Sequence, residues 1–209
     1  LGAEQVFRAA GSVRVLFVSS AEVYGLVPDG EQPIAEDRPL APRSPYALTK
    51  AAAERLAVAT GAVIARCFNL VGPGQATTFA LPSFAAQLAA IARSGREPVL
   101  RVGNLSARRD FVHAADAAEA LRLLLVRGAP ATSYNVARGE AHSIGELLDR
   151  LRALSGLAVR MEPDPSLLRP IDTPLLCGRA DRLAQLGWTP RRSVDDALAE
   201  LWAEARDRG

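Results

Sequence analysis

The sequence predicts an α/β fold, a parallel sheet flanked by helices with a smaller α/β lobe leaning on it. Three observations predict it. Residues 13–18 (VRVLFV) form a continuous apolar run of the kind buried on both faces of a parallel sheet. A long loop, a helix opened by Pro45 and a second apolar run at 62–67 follow, which makes a strand–helix–strand unit with a right-handed crossover. After about residue 75 the pattern changes to helices separated by short strands.

Taken in order, residues 2–10 read as the tail of a helix and 13–18 as the first strand. Residues 19–44 hold Gly25, Pro28, Gly30, Pro33, Pro39 and Pro42 and read as a polar loop. Pro45 opens the helix PYALTKAAAERLAVAT and Gly61 closes it, before the strand at 62–67. A turn (GPGQ, 72–75) leads to a helix from about Ser83 to Ser94, a strand at 98–102 and a helix at 114–126. The strand SYNVA (133–137) precedes a helix capped by Ser143, with Glu146 completing a capping box and Gly156 ending it. Residues 162–177 read as a Pro-rich loop, and 179–186 and 194–205 as two amphipathic helices around Leu186-Gly187-Trp188.

The chain has 209 residues, 49% hydrophobic and 23% charged, within the range of a folded domain that buries a real core. A net charge of +2 with both signs interspersed leaves no basic stripe for a nucleic-acid backbone, so no nucleic acid is expected. Cys67 and Cys177 are far apart and only His113 and His142 accompany them, which leaves no zinc cluster and two reduced, buried thiols, as in a cytoplasmic protein. The uncharged stretch 67–92 is interrupted by Asn69, Pro73, Gln75, Pro82 and Gln87, so it reads as loop plus buried helix and no membrane contact is expected. Behind Leu1 there is no basic and apolar leader pattern, and the chain reads as a fragment of a longer protein.

Of 25 basic residues, 24 are arginine and one is lysine, and that lysine, Lys50, lies four residues after Tyr46. At i and i+4 the two share a helix face, which sets a permanent cation beside a phenol and favours its phenolate. Ser19 or Ser20, at the carboxyl end of the first strand, could supply a hydroxyl to hold the oxygen being protonated. The loops leaving such strands are where α/β folds bind ligands.

These residues sit in longer segments: SSAEVYG (19–25), SPYALTK (44–50), RCFNLVGPGQ (66–75), GNLSARRDFVHAAD (103–116), YNVARGEAHSIGELLD (134–149) and LRPIDTPLLCGRADRLAQLGWTP (168–190). In order and spacing they resemble the extended short-chain dehydrogenase/reductases that modify nucleotide sugars. GPGQ, GNL and the last segment look most like GDP-mannose 4,6-dehydratases and GDP-4-keto-6-deoxymannose reductases. The fold implied is the C-terminal half of a Rossmann-like doubly wound parallel sheet plus a smaller α/β substrate-binding lobe. Residues 1–75 are then a partial dinucleotide-binding domain. Residues 76–209 are mainly a nucleotide-sugar-binding lobe, with some segments returning to the first sheet.

By this resemblance Tyr46 is the acid/base, Lys50 binds the nicotinamide ribose and tunes Tyr46, Ser20 holds the sugar oxygen at C4, and Glu22 matches a carboxylate that dehydratases use at C5. Ser19, Tyr46 and Lys50 are the expected contacts to NAD or NADP. Asn69, Arg109, Asn135 and Arg169 are the expected substrate contacts, the two arginines gripping the diphosphate with a planar fork. Asp110 and Asp116 are expected to cap or pair structurally. The activity implied is NAD(P)-dependent 4-keto reduction of a GDP-6-deoxyhexose, with dehydration or epimerisation of a nucleotide sugar as the alternative. Ala21 favours reduction, because dehydratases carry Asp or Ser there to protonate the leaving hydroxyl. The expected partners are a GDP-linked sugar and a second copy of the chain in a homodimer. No glycine fingerprint for a pyrophosphate follows any apolar strand, and roughly a hundred residues that carry it in relatives have no counterpart. The chain alone is therefore expected to bind the cofactor poorly, and a non-catalytic nucleotide-sugar-binding domain is the rival from another class.

Overall fold

The computed structural model describes residues 2–94, 97–168 and 173–208. Helix α1 (Gly2–Ala10) leads into strand β1 (Leu16–Ser20), helix α2 (Pro45–Ala59) and strand β2 (Val63–Cys67). β1 and β2 pair in parallel, Leu16 opposite Val63 through Ser20 opposite Cys67. Strand β3 (Asn69–Val71), helix α3 (Ala80–Ser94), strands β4 (Val99–Val102) and β5 (Arg108–His113), helix α4 (Ala114–Arg127) and strand β6 (Ser133–Val136) follow. β6 returns to pair with β2, so the first sheet runs β1-β2-β6, all parallel. The remaining elements are β7 (Ala141–Ser143), α5 (Ile144–Ser155), β8 (Arg160–Pro163), β9 (Leu175–Leu176), α6 (Asp181–Gln185) and α7 (Val194–Asp207). A second sheet is built on β5, which pairs with β3 and β9 in parallel and with β7 antiparallel, while β4 and β8 form a separate parallel pair.

The caps read from the sequence are present. Ser44 accepts from the Ala47 amide at 3.1 Å, and Ser143 with Glu146 forms the reciprocal box, with Gly156 left-handed at the end of α5. Three expectations are corrected. The first strand is not buried on both faces: it begins at Leu16, Val18 is 40% exposed, and among the described residues only β2 pairs with it. α3 begins at Ala80, three residues before the expected Ser83, because Pro82 sits in its first turn, where a missing N–H costs nothing. The stretch read as loop from 162 contains the end of β8 and all of β9, and β3, β5 and β7 were not expected at all; their three to six residues are too short or too charged to carry a period.

Two apolar clusters hold the elements apart and leave a cleft between them. Leu81, Phe84 and Leu88 of α3 pack with Leu147, Leu148 and Leu151 of α5 and Leu198 and Leu201 of α7. Val63 and Ala65 of β2 pack with Ala120 and Leu124 of α4, Val136 of β6 and Trp188. Cys67 and Cys177 are free and buried, and among the described residues no helix is long and apolar enough to cross a membrane.

Candidate active site

Tyr46 and Lys50 lie in the first turns of α2, beside the carboxyl end of β1. The Pro45 start and the Ser44 cap fix where the helix begins, and hence which way both side chains face. Tyr46 is 51% exposed and opens to solvent. The Lys50 ammonium donates to the Val18 carbonyl at 2.8 Å and stands 5.7 Å from the centroid of the Tyr46 ring and 5.2 Å from that of Phe17. The sole lysine is thus anchored to the strand end with its charge beside the phenol ring.

Ser20 ends β1 and caps the short 3-10 turn Ala21–Tyr24, its hydroxyl accepting from the Glu22 amide at 3.2 Å. The Ser44 hydroxyl donates to Glu22 Oε2 at 3.3 Å, which ties the loop after β1 to the start of α2. Asn69 opens β3, and its Oδ1 is buried with no hydrogen-bond partner among the described residues. On β5, the Arg109 guanidinium donates to the Thr173 carbonyl at 2.6 Å and to the Arg108 carbonyl at 2.9 Å.

Ser19, Ser20, Glu22, Tyr46, Lys50, Asn69 and Arg109 all line one cleft of about 720 Å³. Its other wall is apolar, with Phe79, Leu81, Phe111 and Leu167. A second chamber of about 470 Å³ shares Ser20, Tyr46, Asn69 and Arg109 and adds Arg43 and Ser44. The floor includes Cys67, whose thiol burial pushes up to about 11, so it stays protonated and unreactive near neutral pH.

Two expected site residues are spent inside the fold. Asn135 is fully buried and lies outside the cleft: its Oδ1 accepts from the Tyr24 hydroxyl at 2.7 Å, and its Nδ2 donates to the carbonyls of Ile34 and Arg179, both at 2.9 Å. The paired strand register carries it on β6 opposite Arg66, into the core. Ser19 touches the cleft, but its hydroxyl donates to Glu54. Arg169 lies outside the described residues. Asp110 accepts from the amides of Arg138, Gly139 and Gly178 at 2.9, 2.8 and 3.2 Å, and Asp116 from those of Arg191 and Arg192, both at 2.8 Å. Both carboxylates stitch loops together.

Sequence reasoning missed the polar cluster beneath the site. Arg66, 7% exposed, reaches both oxygens of Glu54, 3% exposed, at 2.8 to 3.1 Å, and donates to the Tyr24 hydroxyl and the Glu36 carbonyl at 2.9 Å. Burial pulls the guanidinium pKa down, but the bonds to Glu54 and the charges around it outweigh this and hold it above its ordinary value. Burial also pushes the Tyr24 phenol up to about 12, against the pull of Arg66, so it serves as a neutral link. The available signal was an arginine in the middle of an otherwise apolar strand.

Comparison with known proteins agrees with the arrangement. The family model for GDP-mannose 4,6 dehydratase matches residues 2–201. GDP-6-deoxy-D-mannose reductase of Pseudomonas aeruginosa is 32% identical over 98% of this chain, which spans 70% of that protein. A GDP-mannose 4,6 dehydratase of Drosophila melanogaster is 30% identical over 91% of the chain, which spans 54% of it. Among solved structures, RMD from Pseudomonas aeruginosa complexed with NADPH superposes with a TM-score of 0.91 at 31% identity, covering 98% of this chain and 71% of that one. Thermus thermophilus UDP-glucose 4-epimerase in complex with NAD gives 0.86 at 29% identity, covering 99% and 69%. A Tyr-x-x-x-Lys helix facing a serine at the end of a parallel strand, and a family match over nearly the whole length, lead to one conclusion: the chain belongs to the GDP-mannose 4,6 dehydratase family of the short-chain dehydrogenase/reductase fold.

Proposed function

We propose that this chain carries the proton-transfer residues and the sugar side of an NAD(P)-dependent nucleotide-sugar reductase that acts on the 4-keto group of a GDP-6-deoxyhexose. The observation that carries the reading is the convergence of Tyr46, Lys50, Ser20, Asn69 and Arg109 on one cleft. Tyr46 gives its proton to the carbonyl oxygen as that oxygen gains charge. Ser20 donates to the same oxygen and fixes its position. Lys50, held by the Val18 carbonyl, stabilises the phenolate left behind. Arg109, already aimed by the Thr173 carbonyl, pairs with a diphosphate oxygen.

The cleft suits a nicotinamide cofactor. Ser19, Tyr46 and Lys50 line its β1 side, and the orphaned Asn69 Oδ1 lacks a donor that a ligand hydroxyl or amide would supply. Tyr46 and Lys50 would hold the nicotinamide ribose; the Ser19 hydroxyl is already given to Glu54. Bound NAD(P)H supplies the hydride that the carbonyl carbon accepts.

Reduction is favoured over dehydration by Ala21, which follows Ser20 with only a buried methyl group and cannot protonate a departing hydroxyl. Glu22 remains for acid/base work, but the site is one group short of dehydration. Two incubations test this, with the protein in a form that also carries a glycine fingerprint for the cofactor: GDP-mannose alone, and GDP-4-keto-6-deoxymannose plus NAD(P)H. Consumption of reduced cofactor in the second, with no keto sugar formed in the first, is expected. The reverse pattern overturns the reductase reading, and binding of both sugars with no turnover supports a binding domain instead.

The exposed stripe Leu48, Ala52 and Leu56 on α2 is the face on which a second copy would pack as a homodimer, and light scattering of the purified protein tests it. A mass corresponding to one chain at all concentrations refutes the dimer. The buried free thiols fit a reducing, cytoplasmic setting.

A further inference from the structure

Tyr46, Lys50 and Glu54 follow one another at four-residue steps on α2, so they form a stripe on one side of the helix. Each meets the end of β1 differently. Tyr46 lines the cleft with Ser20, Lys50 donates to the Val18 carbonyl at 2.8 Å, and Glu54 accepts from the Ser19 hydroxyl. Ser19 and Arg66 are register partners on β1 and β2, so their side chains project from the same face of the sheet. Glu54 reaches both, taking the hydroxyl on one side and the guanidinium on the other. Arg66 is in turn held by Tyr24 and the Glu36 carbonyl, and Tyr24 by Asn135. Glu54 does not line the cleft, and its carboxylate is already fully engaged within the fold.

We propose that Glu54 is a positioning residue: by bridging Ser19 and Arg66 it locks α2 to the carboxyl end of β1 and holds Tyr46 in register with Ser20. The proposal rests on the reading of Tyr46 and Ser20 as the proton-transfer pair. A shift of the helix along the strand by a fraction of a turn would leave both groups present but no longer aimed at one oxygen, and misplacement by about 1 Å is enough to cost on the order of 10²-fold in rate. The sequence places this control eight residues from the acid/base, beyond the reach of substrate.

The test uses the whole chain with Glu54→Leu/Arg66→Met, which removes the bridge without leaving a buried charge unpaired. Two readouts separate the proposal from the assigned activity. Hydrogen exchange, with no ligand present, is expected to rise about tenfold at residues 17–20 and 49–54 while α5 and α7 keep their protection, as a local opening requires. In turnover, measured in a form of the protein that also carries the glycine fingerprint, kcat is expected to fall about tenfold or more while KM for the nucleotide sugar stays within about twofold, the split expected when orientation and not binding is lost. Unchanged exchange in β1 and α2, or unchanged kcat in a folded variant, overturns the proposal. Should the double variant fail to fold, Ser19→Ala removes only the contact to β1, and the same exchange pattern decides. Absence of turnover in the unmodified protein that also carries the glycine fingerprint counts against the assigned reaction, and the exchange pattern then stands as the test of the lock.

Discussion

Replacing Arg66 by methionine should be among the most damaging single changes in this protein. The guanidinium makes contacts of 2.8 to 3.1 Å to both oxygens of Glu54 and bonds of 2.9 Å to the Tyr24 hydroxyl and the Glu36 carbonyl. Without it, Glu54 keeps only the Ser19 hydroxyl, at a site 3% exposed where water cannot replace what was lost. Breaking a buried pair from one side costs about 3–5 kcal/mol, against a total domain stability of about 5–15 kcal/mol. Removing the partner as well, as Glu54→Leu/Arg66→Met, takes away the stranded charge and should recover most of that loss. Urea unfolding of the two single variants and the double closes a mutant cycle, with an expected coupling of about 2 kcal/mol or more. A loss below about 1 kcal/mol for Arg66→Met, or additive single losses, would refute the reasoning.

Two further predictions concern the loops around β5 and the cleft. Burial raises the Asp110 carboxyl to about 6 despite the three amides it accepts from, so the folded state holds a proton between about pH 4 and 6 that the unfolded chain has released. Stability attributable to Asp110 should therefore fall as pH rises through that window, by on the order of 2–3 kcal/mol, and stay flat above about pH 7; chemical denaturation of Asp110→Asn alongside the native chain checks this, and parallel pH profiles would contradict it. At Gly178 an added Cβ would lie 2.3 Å from Phe68 Cζ and 2.8 Å from Ala137 Cβ, so Gly178→Ala should cost about 1–3 kcal/mol. Phe68 also lines the cleft, so nucleotide-sugar affinity should fall with stability, and an unchanged melting temperature would count against the crowding.

What was legible in the sequence was local. Ser44, Pro45, Tyr46 and Lys50 lie within seven residues, and a cap with an i, i+4 pair fixes their geometry without help from the rest of the chain. The capping box at Ser143 belongs to the same class. Illegible were features made by register between distant segments. Nothing near Asn135 announces that Tyr24, 111 residues away, will take its side-chain oxygen. Arg66 read as one more residue of an apolar strand because its partner, Glu54, lies across a helix–sheet contact. β5 was missed because its charged first half, Arg108 to Asp110, hides a strand whose residues from Asp110 to His113 are buried.

The central claim is that Tyr46 transfers the proton in a reaction on a nucleotide sugar, and Tyr46→Phe tests it most directly. The substitution removes one oxygen from a half-exposed ring, so folding and sugar affinity should be retained. Loss of a positioned acid/base is worth about 10²–10⁴-fold, and in a form of the protein that also carries the glycine fingerprint kcat for the 4-keto sugar should fall by at least the lower of these while binding of the nucleotide sugar stays within about twofold. Turnover by Tyr46→Phe within a few-fold of the unmodified protein would contradict the account.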